Sequence, residues 1–522
     1  MIPILDSRQM READAAAIRS GIPSLTLMEN AAVGIAGVVR ERLAGGRSIV
    51  VVCGPGNNGG DGLAAARLLR DQFAVRVFTL GGADGYRGDA AVNAAAARGA
   101  GLRLESLSVE GGIGELGRAL AQGDGAVDAL FGTGLGRPLE GIALAVVETI
   151  NRAALPVIAA DVPSGLSSDT GALIGESVRA DRTVAFAAPK ICHAFPPARH
   201  RCGKLSVHDI GIPRSFLELP GHALHLASED GIRRLLPLRD PGAHKGDFGR
   251  VAIVAGSRGK TGAAVLAARG ALRGGAGLVT VLCPASLEPV IVSALPEAMT
   301  GGMPERDGAL DPVAGKELVR RLADFDAAVL GPGLGTAAGT FAAVEEVVGQ
   351  SRIPIVLDAD GLNAFAGRPQ SIADRAGVTV MTPHPGEAGR LLGRSAKGVQ
   401  ADRLAAAREL ARIARCCVLL KGEASLTATP DERVVVNSTG TPLLATAGSG
   451  DVLSGLIAAL LGAGLPAAAA AAAGAWLHGA AGDRLAETLG DAGLLAHEVA
   501  DAVPLVRRRL ASGNGKRKTE NE

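Results

Sequence analysis

The chain runs to 522 residues, too many for one hydrophobic core, and predicts two or three domains. Its charges nearly cancel to a net of +1, which excludes a general nucleic-acid or membrane-surface binder. Aromatics make up only 2% of the residues, too few for the base-stacking platforms of single-strand binders.

Taken in order, short apolar runs alternate with Ala-rich helical stretches, the pattern of parallel strands covered on both faces. The first series is Ser48–Cys53, Ala74–Leu80, Ala126–Leu130, Val157–Asp161 and Thr183–Ala187. The second is Arg250–Ala255, Leu278–Leu282, Ala327–Leu330, Ile355–Asp358, Thr379–Thr382 and Cys417–Lys421. Two series predict an α/β chain of two doubly wound domains. Between them residues 212–240 are irregular, with prolines at 213, 220 and 237, and the boundary is expected near Gly221. The expected parts are therefore residues 1–221, residues 222–510 and a frayed polar tail, 511–522. No short-period repeat is visible.

The opening MIPILDSRQMREAD lacks the basic-then-apolar order of a secretory signal. The six cysteines, Cys53, Cys192, Cys202, Cys283, Cys416 and Cys417, have no metal-type spacing and suit a reducing cytoplasm. From Val452 to Ala481 the chain is almost uncharged and long enough to suggest a membrane span. Gly462, Gly464 and Pro466 divide it instead into two buried helices, with Pro466 expected as the first residue of the second.

After the strand ending at Cys53 comes Gly54-Pro-Gly-Asn-Asn-Gly-Gly-Asp-Gly62, with a helix expected from Leu63. Such a turn is where open parallel sheets bind phosphates and nucleotides. It fits neither Gly-x-Gly-x-x-Gly nor a Walker loop, and the paired asparagines suit a monovalent cation or a ligand amide. Val127-Asp-Ala-Leu-Phe-Gly-Thr-Gly-Leu-Gly-Arg-Pro138 and Ala160-Asp-Val-Pro-Ser-Gly165 follow later strands. Each alone is a turn with a satisfied carboxylate, but three at successive strand ends converge on one site.

These motifs, Asn57-Asn-Gly-Gly-Asp61, Asp128 with Phe-Gly-Thr-Gly134, and Asp161-Val-Pro-Ser-Gly165, resemble the NAD(P)HX epimerase, or YjeF N-terminal, domain over residues 1–215. The resemblance implies a Rossmann-like three-layer sandwich in which Asn58, Asp128 and Ser164 bind potassium. It implies that Asn57, Asn58, Gly59, Gly60 and Asp61, the stretch Gly132, Thr133, Gly134, Leu135, Gly136, Arg137 and Pro138, and Asp161 line the hydrated dinucleotide. Asp161 is then the acid/base. Lys190, after the next strand, is a second proton handler or a surface lysine.

In the second half, His244-Lys-Gly-Asp-Phe-Gly-Arg250 leads into a strand ending in Ala255-Gly-Ser257. Gly331-Pro-Gly-Leu-Gly335, Leu357-Asp-Ala-Asp-Gly-Leu-Asn363, Thr382-Pro-His-Pro-Gly-Glu387 and Lys421-Gly-Glu-Ala-Ser425 follow later strands. Last comes Ala447-Gly-Ser-Gly-Asp-Val-Leu453 before a long apolar helix. Its small residues let several amides converge at a helix start, where the dipole favours a phosphate. A carboxylate there is costly unless it takes a proton from a hydroxyl about to meet a phosphoryl group, although Asp in a Gly-rich helix cap is common.

Over residues 240–505 these motifs resemble the ADP/ATP-dependent NAD(P)HX dehydratases of the ribokinase-like superfamily, and a fusion of both domains is the bifunctional NAD(P)HX repair arrangement. The resemblance implies that Ala263, Gly333, His384 and Asp451 contact the hydrated dinucleotide. It also implies that Lys421, Gly422, Glu423, Ala424, Ser425 and Gly450 contact ADP or AMP. It further implies Mg2+, ADP or ATP as co-substrate, and a homo-oligomer of four or more chains. Two departures stand out: Thr261 where the family has an aromatic residue, and Thr441 where Asn is expected. Three readings stay open. His384 contacts substrate or caps a rigid turn, Asp358 and Asp360 either order loops or hold a metal, and Lys421 either holds a phosphate or ends a strand.

On this reading Asp451 deprotonates a hydroxyl at C6 of the reduced nicotinamide ring, which attacks the terminal phosphoryl of ADP or ATP. Amides at Gly448–Gly450 stabilise the growing charge, and the ring nitrogen then expels phosphate, restoring NAD(P)H. Only the (S) epimer presents its hydroxyl correctly, which gives the attached (R)/(S) epimerase its purpose. The alternatives are a ribokinase-like small-molecule kinase with an N-terminal nucleotide-binding module, and a non-enzymatic first domain acting as a scaffold.

Overall fold

The computed structural model describes residues 1–81, 85–108, 111–218 and 222–512. It comprises two compact units, one spanning Ile2–His222 and the other beginning at Ala223. Gly221, where the boundary is expected, lies outside the described residues, as does the tail from residue 513. Ala511 and Ser512 are not part of a frayed tail: they close the helix Ala496–Ser512, whose apolar positions Val503, Val506 and Leu510 are buried.

The N-terminal unit is a fully parallel sheet in the order Leu104–Ser106, Ala74–Thr79, Ser48–Cys53, Ala126–Ala129, Val157–Ala160, Arg182–Phe186, Lys204–His208. The chain winds outward from Ser48–Cys53 in one direction and then restarts beside it at Ala126–Ala129. That reversal opens a crevice beyond the strand ends, the ligand-binding position of such sheets. Both flanking segments carry motifs singled out in the sequence.

The C-terminal unit repeats the logic. Its sheet runs Leu224–Leu226, Val434–Val436, Leu426–Ala428, Cys417–Leu420, Thr379–Met381, Ile355–Leu357, Ala327–Leu330, Arg250–Val254, Leu278–Pro284, Met299–Met303. All neighbours are parallel except that Leu426–Ala428 opposes both strands beside it. Here the reversal lies between Arg250–Val254 and Ala327–Leu330. Both units are doubly wound α/β, as the alternating apolar runs predict.

Several boundaries differ from expectation. The strands predicted to end at Asp161, Asp358 and Lys421 stop one residue earlier, so each charged side chain stands just past its strand. The helix after Ser48–Cys53 starts at Asn57, not Leu63, and the paired asparagines open its first turn. Gly59 makes this possible, because a Cβ there would lie 1.8 Å from the Gly54 carbonyl oxygen. Pro466 is the N-cap of helix Ala467–Leu489 and not its first residue. No helix among the described residues is long and apolar enough to cross a membrane, and all six thiols are free and buried.

Two helices carry the C-terminal loops on their N-termini: Thr261–Gly274 and Ser449–Gly462. They pack backbone against backbone. A Cβ on Gly455 would lie 1.9 Å from the Ala267 carbonyl oxygen, and one on Gly270 2.2 Å from that of Val452. Substituting Gly455→Ala must therefore push the helices apart, at a cost of about 1–3 kcal/mol. A lowered melting temperature in calorimetry is the expected result, and an unchanged one would show that the contact is not tight.

Candidate active sites

A cavity of about 1030 Å³ lies beyond the carboxyl ends of the N-terminal sheet. Asn57, Asn58, Asp61, Gly132, Thr133, Gly134, Leu135, Gly136, Arg137 and Asp161 line it. Gly59, Gly60 and Pro138 do not: the two glycines are buried within helix Asn57–Leu69, and Pro138 faces solvent. Asp128 and Ser164 form a separate buried knot. Ser164 Oγ donates to Asp128 Oδ1 at 2.6 Å, and the Ser164 N–H donates to Oδ2 at 2.8 Å. Phe131 N–H in turn donates to Ser164 Oγ at 2.9 Å, which ties the Gly132–Pro138 segment to the same knot.

Burial pushes the Asp128 carboxyl up to about 6 against the pull of these hydrogen bonds. It has no ion-pair partner among the described residues. Asn58 reaches the Gly132 backbone, and its Nδ2 is buried with no hydrogen-bond partner. The oxygens of a buried carboxylate without a counter-charge and of the Asn58 amide suit a monovalent cation, whereas the unpartnered Asn58 Nδ2 is a donor and cannot ligate one.

Asp161 stands just beyond its strand with φ +58°, a conformation costing on the order of 1 kcal/mol in a residue with a Cβ. Two contacts hold it there. Lys190 Nζ donates to Asp161 Oδ1, and Phe186 N–H donates to the same oxygen at 3.1 Å. Lys190 is only 1% exposed, so it is not a surface lysine. Asp61 is buried and pushed well above the usual carboxylate range, first by burial and then by Asp161 and Asp14. Asp14, from helix Ser7–Arg19, also lines the cavity. The strand-end logic misses it, because it comes from an amphipathic helix preceding the first strand of this sheet.

In the C-terminal unit the geometry of a helix start decides the site. Gly448, at φ +87°, is the N-cap of helix Ser449–Gly462, so Asp451 is not the cap but lies within the first turn. Its carboxylate accepts no hydrogen bond from the described residues. Burial pushes it up to about 7, with Asp358 adding to the rise and Lys421 opposing it. Lys421 Nζ lies 2.7 Å from Asp358 Oδ1 and 4.0 Å from Glu387 Oε2. Burial works to lower that ammonium, but Asp358 and Glu387 outweigh it and leave it above the ordinary value. A Cβ on Gly450 would lie 3.3 Å from Lys421 Nζ, so the ammonium borders the first-turn amides. Lys421 therefore both ends its strand and offers a charge at the helix start.

Gly333 and Ala263 also come together: a Cβ on Gly333 would lie 2.9 Å from that of Ala263. His384 takes the capping role. Its Nδ1 accepts from Gly386 N–H at 2.9 Å and Glu387 N–H at 3.3 Å, and its ring is half-exposed. Burial holds it below the ordinary imidazole value. Asp360 orders a loop, accepting from Gly335 N–H at 2.8 Å, whereas Asp358 is committed to Lys421. No group of three His, Cys, Asp or Glu side chains among the described residues could hold a metal ion. In the Lys421–Ser425 turn Ser425 Oγ donates to the Gly422 carbonyl at 2.8 Å, Ala424 is buried and Glu423 exposed.

Thr261 opens helix Thr261–Gly274 and supplies no ring for stacking. Thr441 caps the short turn Pro442–Leu444 through its hydroxyl, the role an Asn would serve. Two further residues escape the sequence reading. Glu387 ends the Thr382–Glu387 motif, and its distance of three from His384 is a capping-box signal. His478 lies within an Ala-rich helix, where nothing in the spacing marks it, yet its Nε2 lies 2.9 Å from the Ser449 carbonyl oxygen.

Residues 251–505 match the NAD(P)H-hydrate dehydratase family, and residues 24–192 match the YjeF-related protein N-terminus. The chain is 42% identical over 494 residues to the bifunctional NAD(P)H-hydrate repair enzyme Nnr of Moorella thermoacetica, covering 94% of this chain and 93% of that one. It is 40% identical over 497 residues to the enzyme of the same name from Thermofilum pendens, covering 95% and 94%. A crystal structure of the ADP/ATP-dependent NAD(P)H-hydrate dehydratase of Bacillus subtilis, co-crystallised with ATP and Mg2+, is 34% identical. It covers 55% of this chain and 98% of its own, with a TM-score of 0.48.

The raised Asp451 value carries a stability consequence. An unfolded chain ionises this group near 3.8, the folded one near 7, so folding weakens as pH rises between those values. Asp451→Asn removes the penalty. Thermal melts should show the variant equal to wild type below about pH 4 and more stable above pH 7, by about 1–3 kcal/mol for a partly solvated carboxylate. Equal stability at pH 8 would mean that the carboxylate is not buried against its neighbours.

Proposed function

Because the chain belongs to the family of bifunctional NAD(P)H-hydrate repair enzymes, we propose that its N-terminal site interconverts the C6 epimers and its C-terminal site performs the nucleotide-driven dehydration. The chain is an epimerase and a dehydratase, and the proposal assigns each chemistry to named residues. Residues 1–221 would serve epimerisation, 222–510 dehydration.

One observation carries the dehydratase half: the Asp451 carboxylate, without a hydrogen-bond partner among the described residues and poised near neutrality, borders the Lys421 ammonium at a helix start built of small residues. A general base works best when its pKa is near the working pH. Asp451 takes the proton of the C6 hydroxyl as that oxygen attacks the terminal phosphoryl of ADP or ATP. The amides of Gly448–Gly450 and the Lys421 ammonium receive the charge that develops on the phosphoryl oxygens. Hydroxide leaves poorly from this carbon and phosphate leaves well, so the ring nitrogen lone pair expels phosphate. A ring proton is lost and NAD(P)H is restored, with AMP the second product when ADP is used. Mg2+ would travel with the nucleotide phosphates, because the carboxylates here surround an ammonium. His384 holds the turn beside the substrate, and Ala263 with Gly333 leaves room for the dinucleotide.

In the epimerase half, Asp161 with Lys190 handles the proton of the same hydroxyl. Asn57–Asp61 and Gly132–Pro138 hold the dinucleotide. Potassium would sit among the oxygens of Asn58, Asp128 and Ser164, where it supplies the positive charge that the buried Asp128 lacks and fixes the adjoining Gly132–Pro138 segment. The buried reduced thiols suit a reducing cytoplasm.

Asp451→Asn should lower dehydration of the (S) epimer by on the order of 10²–10⁴ and leave epimerisation intact, whereas Asp161→Asn should do the reverse. Recovery of reduced-nicotinamide absorbance and chromatography of the two epimers measure the two steps. Loss of both activities from either change in a folded protein would refute the assignment. Wild-type dehydration should rise with pH and level off above about 7, where Asp451 is ionised. Replacing potassium with tetramethylammonium should slow epimerisation alone, and readdition should restore it. An epimerisation rate indifferent to potassium would remove the cation from the site.

A further inference from the structure

Interconverting two epimers poses a geometric demand that one carboxylate cannot meet. The hydroxyl departs from one face of the ring and returns on the other, so proton-handling groups must serve both faces. Asp161, locked to Lys190 and to Phe186 N–H at a strand end, serves one of them.

We propose that Asp14 is the second proton carrier of the epimerase site, serving the ring face that Asp161 cannot reach. This rests on the assignment of epimerisation to the N-terminal cavity. Helix Ser7–Arg19, fixed by a capping box between Asp6 and Gln9, brings Asp14 to the cavity wall. Its carboxyl forms no hydrogen bond or ion pair among the described residues, so nothing structural accounts for a half-buried acid there. Three carboxyls, Asp14, Asp61 and Asp161, share the field of one buried ammonium, Lys190. Asp14 is pushed up to about 6 by burial, with Lys190 pulling it down and Asp161 pushing it up. The remaining carboxylate at the wall, Asp89, opens helix Gly88–Gly99, whose first-turn amides already favour its charge. Arg11 and Arg137 at the rim are exposed.

The step balances with water alone. Protonated Asp14 gives its proton to the C6 hydroxyl, the C6–O bond breaks to release water, and the ring nitrogen lone pair forms the C6–N1 double bond. Water then adds to C6 from the opposite face, returning that electron pair to nitrogen and giving a proton to Asp161. The reverse epimerisation exchanges the roles, and solvent at the cavity mouth resets the pair of acids.

The test uses the full chain, with dehydration of the (S) epimer as the internal control for folding. Asp14→Asn should lower kcat for epimerisation by 10²-fold or more, leave KM within about 2-fold, and leave (S)-epimer dehydration unchanged. Asp14→Glu should recover at least a tenth of wild-type kcat. In wild type, epimerisation run in ¹⁸O water should label the C6 hydroxyl of the product at the rate of inversion. Asp14→Asn with kcat within 2-fold of wild type, or with only KM raised, overturns the proposal. So does inversion without label. If Asp14→Asn misfolds, Asp14→Ser takes its place: a folded Asp14→Ser with epimerisation kcat lowered 10²-fold or more supports the proposal, and one within 2-fold of wild type overturns it. A folded Asp161→Asn that still epimerises would instead overturn the site assignment on which the proposal stands.

Discussion

Among the described residues, Lys190 is a buried ammonium and Lys421 a largely buried one, each set beside several carboxylates. Removing either charge from water is costly, and only close pairing with Asp161 and with Asp358 offsets it. The ammonium therefore fixes one carboxylate rigidly and leaves its neighbours short of counter-charge. In the N-terminal unit the neighbours are Asp61 and Asp14, in the C-terminal unit Glu387 and Asp451. All four are raised above the ordinary carboxylate value, with burial the leading cause in each case. The same arrangement that orders each site also gives it groups able to exchange protons near neutral pH.

This shortage of positive charge also explains why the two sites sit where they do. Parallel strands end together, so successive loops bring their polar residues to one edge, and each strand stops just before the charged residue it delivers. Asp161, Asp358 and Lys421 all follow that rule. The helices then complete the sites with backbone rather than side chains. Asn57–Leu69 and Ser449–Gly462 begin with small residues, and their contacts leave no space for a Cβ at Gly59 or Gly455. Glycine is disfavoured within helices by roughly 1 kcal/mol each, so its abundance here reflects close approach and not helix preference.

That trade explains what could be read from the chain and what could not. The long apolar strands were legible because burial on both faces leaves a continuous hydrophobic run. Edge strands were not: Met299–Met303 contains two glycines, and Leu104–Ser106 and Lys204–His208 are half polar because one side meets solvent. The first turn of the helix beginning at Asn57 reads as a loop up to Leu63 because Asn and Gly have poor helix propensity. Among site residues, those at strand ends were visible by position. Asp14 and His478 come from helices whose spacing signals only packing, and Glu387 was masked by its capping role. Lys190 was visible but its environment was not, because nothing in the local sequence separates a buried lysine from a surface one.

The pairing of the two chemistries follows from the same physical constraint. Dehydration needs one oxygen to face both a base and a phosphoryl group, and a tetrahedral carbon offers that geometry in only one of its two configurations. On the proposed assignment, the Asp451 site accepts the other epimer only if the base or the helix start moves, and the close approach of Gly455 to the Ala267 carbonyl ties that helix to its neighbour. A rigid dehydration site thus transfers the stereochemical problem to a separate site, whose task is only to move protons between faces of the same ring. That task asks for a cavity wide enough for the ring to be reached from two sides and for acids that exchange protons readily, and it makes no demand for a phosphate-binding helix start.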